Sequence, residues 1–97
     1  MDRERAVALI YEAIDIVNQQ LPIAKRLAHS QATVIVGAGG ALDSLGIVNF
    51  VLAIEEKVGE ALRRPVQLFD PDWLADAGSP IGTVGSLTTY LMTLTSR

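Results

Sequence analysis

Asp43 and Ser44 stand side by side in the stretch TVIVGAGGALDSLGIVNF, from Thr33 to Phe50. A serine in that setting offers three chemistries. It could attack as a hydrolase nucleophile, sit in a phosphate-binding turn with the glycines before it, or receive a group that another enzyme transfers. The only histidine, His29, lies upstream, and the chain has no cysteine. A thiolate nucleophile, a disulfide framework and a thiolate zinc site are therefore excluded.

Each chemistry makes demands on neighbouring residues. A nucleophile elbow needs glycine two residues before the serine, and Leu42 stands there. A triad would also need an oxyanion hole and a scaffold larger than this chain provides, so His29 reads as a solvated loop residue. A dinucleotide-binding turn needs small residues at three places. Gly37 and Gly39 supply two, but Leu42 takes the third. The βαβ unit would further require parallel strands downstream, where only Pro65–Phe69 (PVQLF) has strand character. A nucleoside-triphosphate loop fails because no Gly-Lys-Ser/Thr follows the glycines.

The third chemistry asks least. Asp43 can cap a helix that begins at Ser44, leaving the hydroxyl of Ser44 at its first turn near solvent. An anion attached there meets unpaired backbone N–H groups and the positive end of the helix dipole, worth roughly 0.3–1 kcal/mol. Gly37, Gly39 and Gly40 leave the approach open to a modifying enzyme. Taken alone, Asp-Ser reads as a plain helix cap, and it is the helix that follows that tips the balance. Projected at about 3.6 residues per turn, Ile47, Phe50, Val51, Ile54 and Val58 form a core stripe. Leu45, Val48 and Leu52 form a second stripe, bordered by Glu55 on one side and by Asn49 and Glu56 on the other. A helix of a small bundle needs one apolar face, so the second stripe calls for a partner, with the carboxylates setting orientation and on-rate.

The elements that must position this site can be read from periodicity. Val7, Ile10, Tyr11, Ile14, Val17 and Leu21 recur at helical spacing after a cap at Asp2, with a stop near Pro22. Ile23 to Ala28 could form a short helical turn, and Thr33 to Val36 is extended. The second helix runs from Asp43 or Ser44 to about Val58, with Gly59 as its stop. Asp70 and Pro71 suit the start of a short helix. The last helix opens near Thr83 and repeats apolar residues at Val84, Leu87, Leu91 and Leu94. The expectation is all-α: a small four-helix bundle of three main helices and one short one, forming a single domain over residues 1–97.

Composition agrees with that size and restricts the partners. Of the 97 residues, 49% are hydrophobic, enough for one small core. Eleven acidic residues against eight basic ones give a net charge of −3, which disfavours nucleic acid. The apolar run of the second helix is interrupted by Asn49 and ends at Glu55, too short for a membrane span. The amino terminus, Met1-Asp2-Arg3-Glu4-Arg5, is unlike a signal peptide. A soluble, cytoplasmic, monomeric protein without catalytic groups of its own is expected.

These residues resemble the acyl carrier protein family, including the peptidyl carrier domains. Leu42 to Gly59, LDSLGIVNFVLAIEEKVG, is similar to its signature: Asp-Ser-Leu, an apolar helix, paired glutamates and a hydrophobic-Gly end. SPIGTVGSLTTYL, from Ser79 to Leu91, is similar to the family's entry into the last helix. The resemblance implies the family's four-helix fold. It implies that Ser44 receives 4′-phosphopantetheine from coenzyme A through a phosphopantetheinyl transferase, and that the arm's thiol holds cargo as a thioester. Asp43 would be the adjoining acid that assists the transferase and its magnesium. Leu45 and Ile81 would lie beside the arm. Leu45, Val48, Asn49, Leu52, Glu55 and Glu56 would meet the enzymes that load, condense or transfer acyl or aminoacyl groups. Gly46 and Asn49 stand where carriers of fatty acid biosynthesis commonly have acids, Arg63 and Arg64 lie just beyond, and Phe69 and Trp73 sit in a lengthened connection. These departures point to a specialised pathway such as polyketide, nonribosomal peptide or surface-polysaccharide acyl chemistry. A carrier-fold interaction module that is never modified is the competing expectation.

Overall fold

The computed structural model describes residues 2–36, 42–66 and 82–95. Among them, three helices and one 3-10 turn follow in order: α1 (Arg3–Asn18), the turn Ile23–Lys25, α2 (Ser44–Leu62) and α3 (Val84–Thr95). The described part is all-helical, as expected of a small bundle. The short helix expected at Asp70 and Pro71 falls outside the described residues.

The helix starts follow the sequence closely because short polar side chains define them. Asp2 caps α1, its Oδ1 accepting from the Arg5 amide at 2.7 Å. Thr83 and Ser86 cap α3 reciprocally. The Ser86 amide donates to Thr83 Oγ1 at 3.1 Å, and the Thr83 amide donates to Ser86 Oγ at 3.0 Å. Two of the four orphan amides of that start are thereby satisfied in the manner of a capping box, and the other two, of Val84 and Gly85, donate to the Thr33 and Gln31 carbonyls.

The end of α2 departs from expectation. The helix passes through Gly59 and continues to Leu62. One helical glycine costs only about 1 kcal/mol relative to alanine, and Glu60, Ala61 and Leu62 are good helix formers. The stop is Arg63, which takes the left-handed conformation (φ 57°, ψ 38°). The amides of Arg63 and Arg64 both return to the Gly59 carbonyl, the latter at 3.1 Å, and Pro65 follows. Gly59 serves this turn in another way: a Cβ there would lie 3.2 Å from the Arg64 carbonyl oxygen.

The core lies between α1 and its two neighbours. Ala6, Leu9, Ile10, Ala13, Ile14 and Val17 are buried on α1, whereas Val7 and Tyr11 are half-buried. The buried face is thus centred slightly away from the expected stripe and takes in Ala6 and Ala13. Against it pack Ile47, Phe50, Val51, Ile54 and Val58 of α2, and Val84, Leu87 and Leu91 of α3. Thr88 is also fully buried, its hydroxyl donating to the Val84 carbonyl at 2.8 Å. The Cα radius of gyration is 12.3 Å, near the roughly 13 Å of a compact chain of about 100 residues.

Two devices fix the segment between α1 and α2. The Asn18 side chain donates to the Leu27 carbonyl at 2.9 Å and accepts from the Leu27 amide at 2.8 Å. Farther on, the extended residues make a β-like clasp with the entry to α3. Val34 bridges Thr83, the Ile35 amide donates to the Gly82 carbonyl at 2.8 Å, and the Val84 amide donates to the Thr33 carbonyl at 3.0 Å. Ile35 and Val36 are buried by this arrangement. The β-branched run is therefore extended, as its composition suggests, and pairs with the entry to α3 through an isolated bridge, with no sheet among the described residues.

Candidate functional site

The site begins at the amino-terminal turn of α2. Asp43 is its N-cap, with Oδ1 accepting from the Gly46 amide at 2.7 Å, while the Asp43 carbonyl accepts from the Ile47 amide at 2.9 Å. Ser44 is accordingly the first helical residue. Leu42 and Ile47, both in the core, occupy the two positions of a hydrophobic staple around the cap. Gly46 makes room for this turn, since a Cβ would lie 3.2 Å from both Asp43 Oδ1 and Leu42 Cδ2. An acidic side chain at position 46 would crowd the cap.

The two stripes of α2 separate by exposure. Phe50 and Ile54 are fully buried, whereas Leu45 is 69% and Leu52 50% exposed. Asn49 and Glu56 are exposed, and Glu55 is half-buried. Val48 is half-buried as well, so it belongs to the flank of the exposed stripe and not to its crest.

The structure adds α1 to this face. A shallow groove of about 180 Å³ brings Leu45, Gly46 and Asn49 beside Val17, Gln20 and Leu21. A second, of about 240 Å³, continues along Asn49, Leu52 and Glu56 against Ile16 and Gln20. Asn49 and Gln20 line both, so one polar-edged channel follows α1 and α2 away from the Ser44 turn. Ile16, 38% exposed, is the residue that sequence reasoning missed. Its signal was present: an isoleucine outside the stripe that runs through Ile10, Ile14 and Val17.

His29 lies in a loop, as expected, but it is not simply solvated. Its Nε2 donates to Asp15 Oδ1 at 2.7 Å, and its ring stacks on Tyr11 with centroids 4.6 Å apart and planes 8° from parallel. The side chains remain 46% and 61% exposed for His29 and Asp15. The arrangement pins the loop onto the outer face of α1.

Ile81, the glycines at 37, 39 and 40, and Phe69 and Trp73 lie outside the described residues. Among the described residues, no cluster of three or more His, Cys, Asp or Glu side chains could hold a metal ion, and no helix is long and apolar enough to cross a membrane. No family model, curated protein or solved structure matches this chain.

Proposed function

We propose that this protein is an acyl or aminoacyl carrier, with Ser44 as the attachment point of 4′-phosphopantetheine. The observation that carries the reading is the pairing of a capped helix start with an unpartnered apolar stripe. Asp43 closes the first turn around Ser44, and Leu45 and Leu52 stand exposed along the same helix. The residues present suit a phosphodiester at Ser44. The first-turn amides of a helix and its dipole favour an anion, and Asp43 is exposed enough to meet a visiting transferase and its magnesium. Once attached, the group supplies the thiol that the cysteine-free chain lacks, on which cargo rides as a thioester. The protein's own residues anchor the arm and present the docking strip of Leu45, Val48, Asn49, Leu52, Glu55 and Glu56 to the enzymes that load, condense or transfer the cargo. Catalysis belongs to those enzymes. We place the carrier in the cytoplasm as a monomer, serving a specialised biosynthetic pathway.

The test is intact mass after incubation with a broad-specificity phosphopantetheinyl transferase, coenzyme A and magnesium. One phosphopantetheine should be added to the wild-type protein and none to Ser44→Ala, with the helical circular dichroism of both unchanged. An unmodified wild-type chain, under conditions that load a control carrier, would leave the interaction-module reading in its place.

A further inference from the structure

The carboxyl-terminal half of α2 carries a third groove, remote from the Ser44 turn and continuous at Leu52 and Glu56 with the channel described above. It is shallow and broadly open to solvent, with about 620 Å³ of accessible space, and is lined by Leu52, Glu55, Glu56, Glu60, Arg63 and Arg64 among others. Along the helix the order is apolar, then acidic, then basic. Glu56 and Arg63 are separated by roughly 10 Å at about 1.5 Å per residue. Gly59, between them, has no side chain to fill the groove.

Two features set this surface apart from an ordinary solvated helix end. Glu56, Glu60, Arg63 and Arg64 are all exposed, yet among the described residues no ion pair joins them. Glu56 and Glu60 therefore stand beside Arg63 and Arg64 without an ion pair between them. Arg63 also holds the only positive φ of any described residue other than glycine, at a helix terminus where glycine would fit without strain. The chain keeps a long cation there against the conformational preference of its backbone. The helix dipole alone favours some cation near this end, and Arg64, the next residue, already supplies one.

The geometry points to a docking groove for a protein segment of fixed polarity. The segment presents an apolar side chain to Leu52, a lysine or arginine to Glu56 and Glu60, and a carboxylate to Arg63 and Arg64. The groove extends the docking strip of the proposed carrier, since Leu52 belongs to both, and to that extent the inference rests on the carrier reading. It adds that a partner must be bipolar. A uniformly basic surface would be attracted by the glutamates and repelled by the arginines, so the charge pattern fixes both register and direction.

The experiment uses two synthetic helical peptides of identical composition with side chains one turn apart. One has the order Leu-Lys-Glu, the other Leu-Glu-Lys, and neither order becomes the other when the peptide is turned end for end. Titrated into the full-length, 15N-labelled protein at low salt, the first should shift the amides of Leu52, Gly59 and Arg63. It should bind on the order of tenfold more tightly than the second, with the difference shrinking as salt is raised. The exchange Glu56→Lys, Glu60→Lys, Arg63→Glu, Arg64→Glu should invert the preference, and the smaller exchange Glu60→Lys, Arg64→Glu should abolish it, both with unchanged circular dichroism. Equal binding of the two peptides, binding of neither, or a preference that survives both exchanges would overturn the inference. Ser44→Ala should keep the preference. A protein that resists phosphopantetheine loading but still discriminates the peptides would sink the carrier reading and leave the bipolar groove standing.

Discussion

The Oδ1 of Asp43 accepts a hydrogen bond from the Gly46 amide at 2.7 Å, so the residue preceding Ser44 holds the first turn of α2 closed. Asp43→Ala should lower stability by about 0.5–2 kcal/mol, the usual cost of removing an N-cap. Asp43→Asn keeps the acceptor and should recover most of that loss in urea unfolding. On the carrier reading, the Asn variant should still load slowly with phosphopantetheine because the carboxylate is gone. An Asn variant as unstable as Ala would mean that charge, and not the hydrogen bond, holds the turn.

The two stripes of α2 should respond oppositely to substitution. Phe50 is fully buried, and Phe50→Ala should cost about 3–5 kcal/mol by opening a cavity. Leu45→Asp with Leu52→Asp falls on exposed positions and should change stability by under about 0.5 kcal/mol per site. Val48→Asp should cost more than either, because Val48 is half-buried. Urea unfolding of the set ranks them. Leu45 and Leu52 variants as unstable as Phe50→Ala would remove the docking face altogether.

The Tyr11–His29–Asp15 arrangement should act as a loop anchor of modest strength. A double-mutant cycle between Asp15→Ala and His29→Ala should give a coupling of about 0.2–1 kcal/mol, as for other exposed pairs. His29→Phe preserves the stack on Tyr11 and should retain more stability than His29→Ala. If Phe and Ala prove equal, the stacked geometry contributes nothing.

Arg63→Gly should be neutral or stabilising by up to about 1 kcal/mol. Glycine relieves the left-handed strain at φ 57°, offset by its greater freedom in the unfolded chain. The same change should weaken binding of the Leu-Lys-Glu peptide. A rise in thermal stability joined to a loss of binding would show that backbone strain is retained for the sake of a charge. A clear fall in stability would instead give Arg63 a structural role.

Much of the fold was legible where a single side chain decides the outcome. Asp2, Asp43 and Thr83 announced the helix starts because a short acceptor three residues before a free amide suits little else. The division of α2 into buried and exposed leucine-bearing faces followed from periodicity alone. Less was legible where the decision lies in tertiary contacts. Gly59 looks like a stop, but the helix formers after it carry α2 onward until Arg63 turns. His29 looks solvated because nothing in its neighbourhood in sequence announces Tyr11 and Asp15 on the preceding helix. Asn18 and Thr88 are polar residues whose partners, the Leu27 backbone and the Val84 carbonyl, become evident only once the chain has folded.

The clasp between Thr33–Val36 and Gly82–Val84 joins the two ends of the stretch that contains α2. Its two sides lie before and after α2, and α2 itself is held in the core by Ile47, Phe50, Val51, Ile54 and Val58, so the lengths free to vary are those between these fixed points. The entropy of closing such a connection grows only logarithmically, by about 0.6 kcal/mol for each doubling of its length. Residues added on either side of α2 would therefore tax the fold very little, provided the clasp itself is kept. The connections to the helix that carries Ser44 can thus lengthen while the packing of α1, α2 and α3 and the clasp are kept.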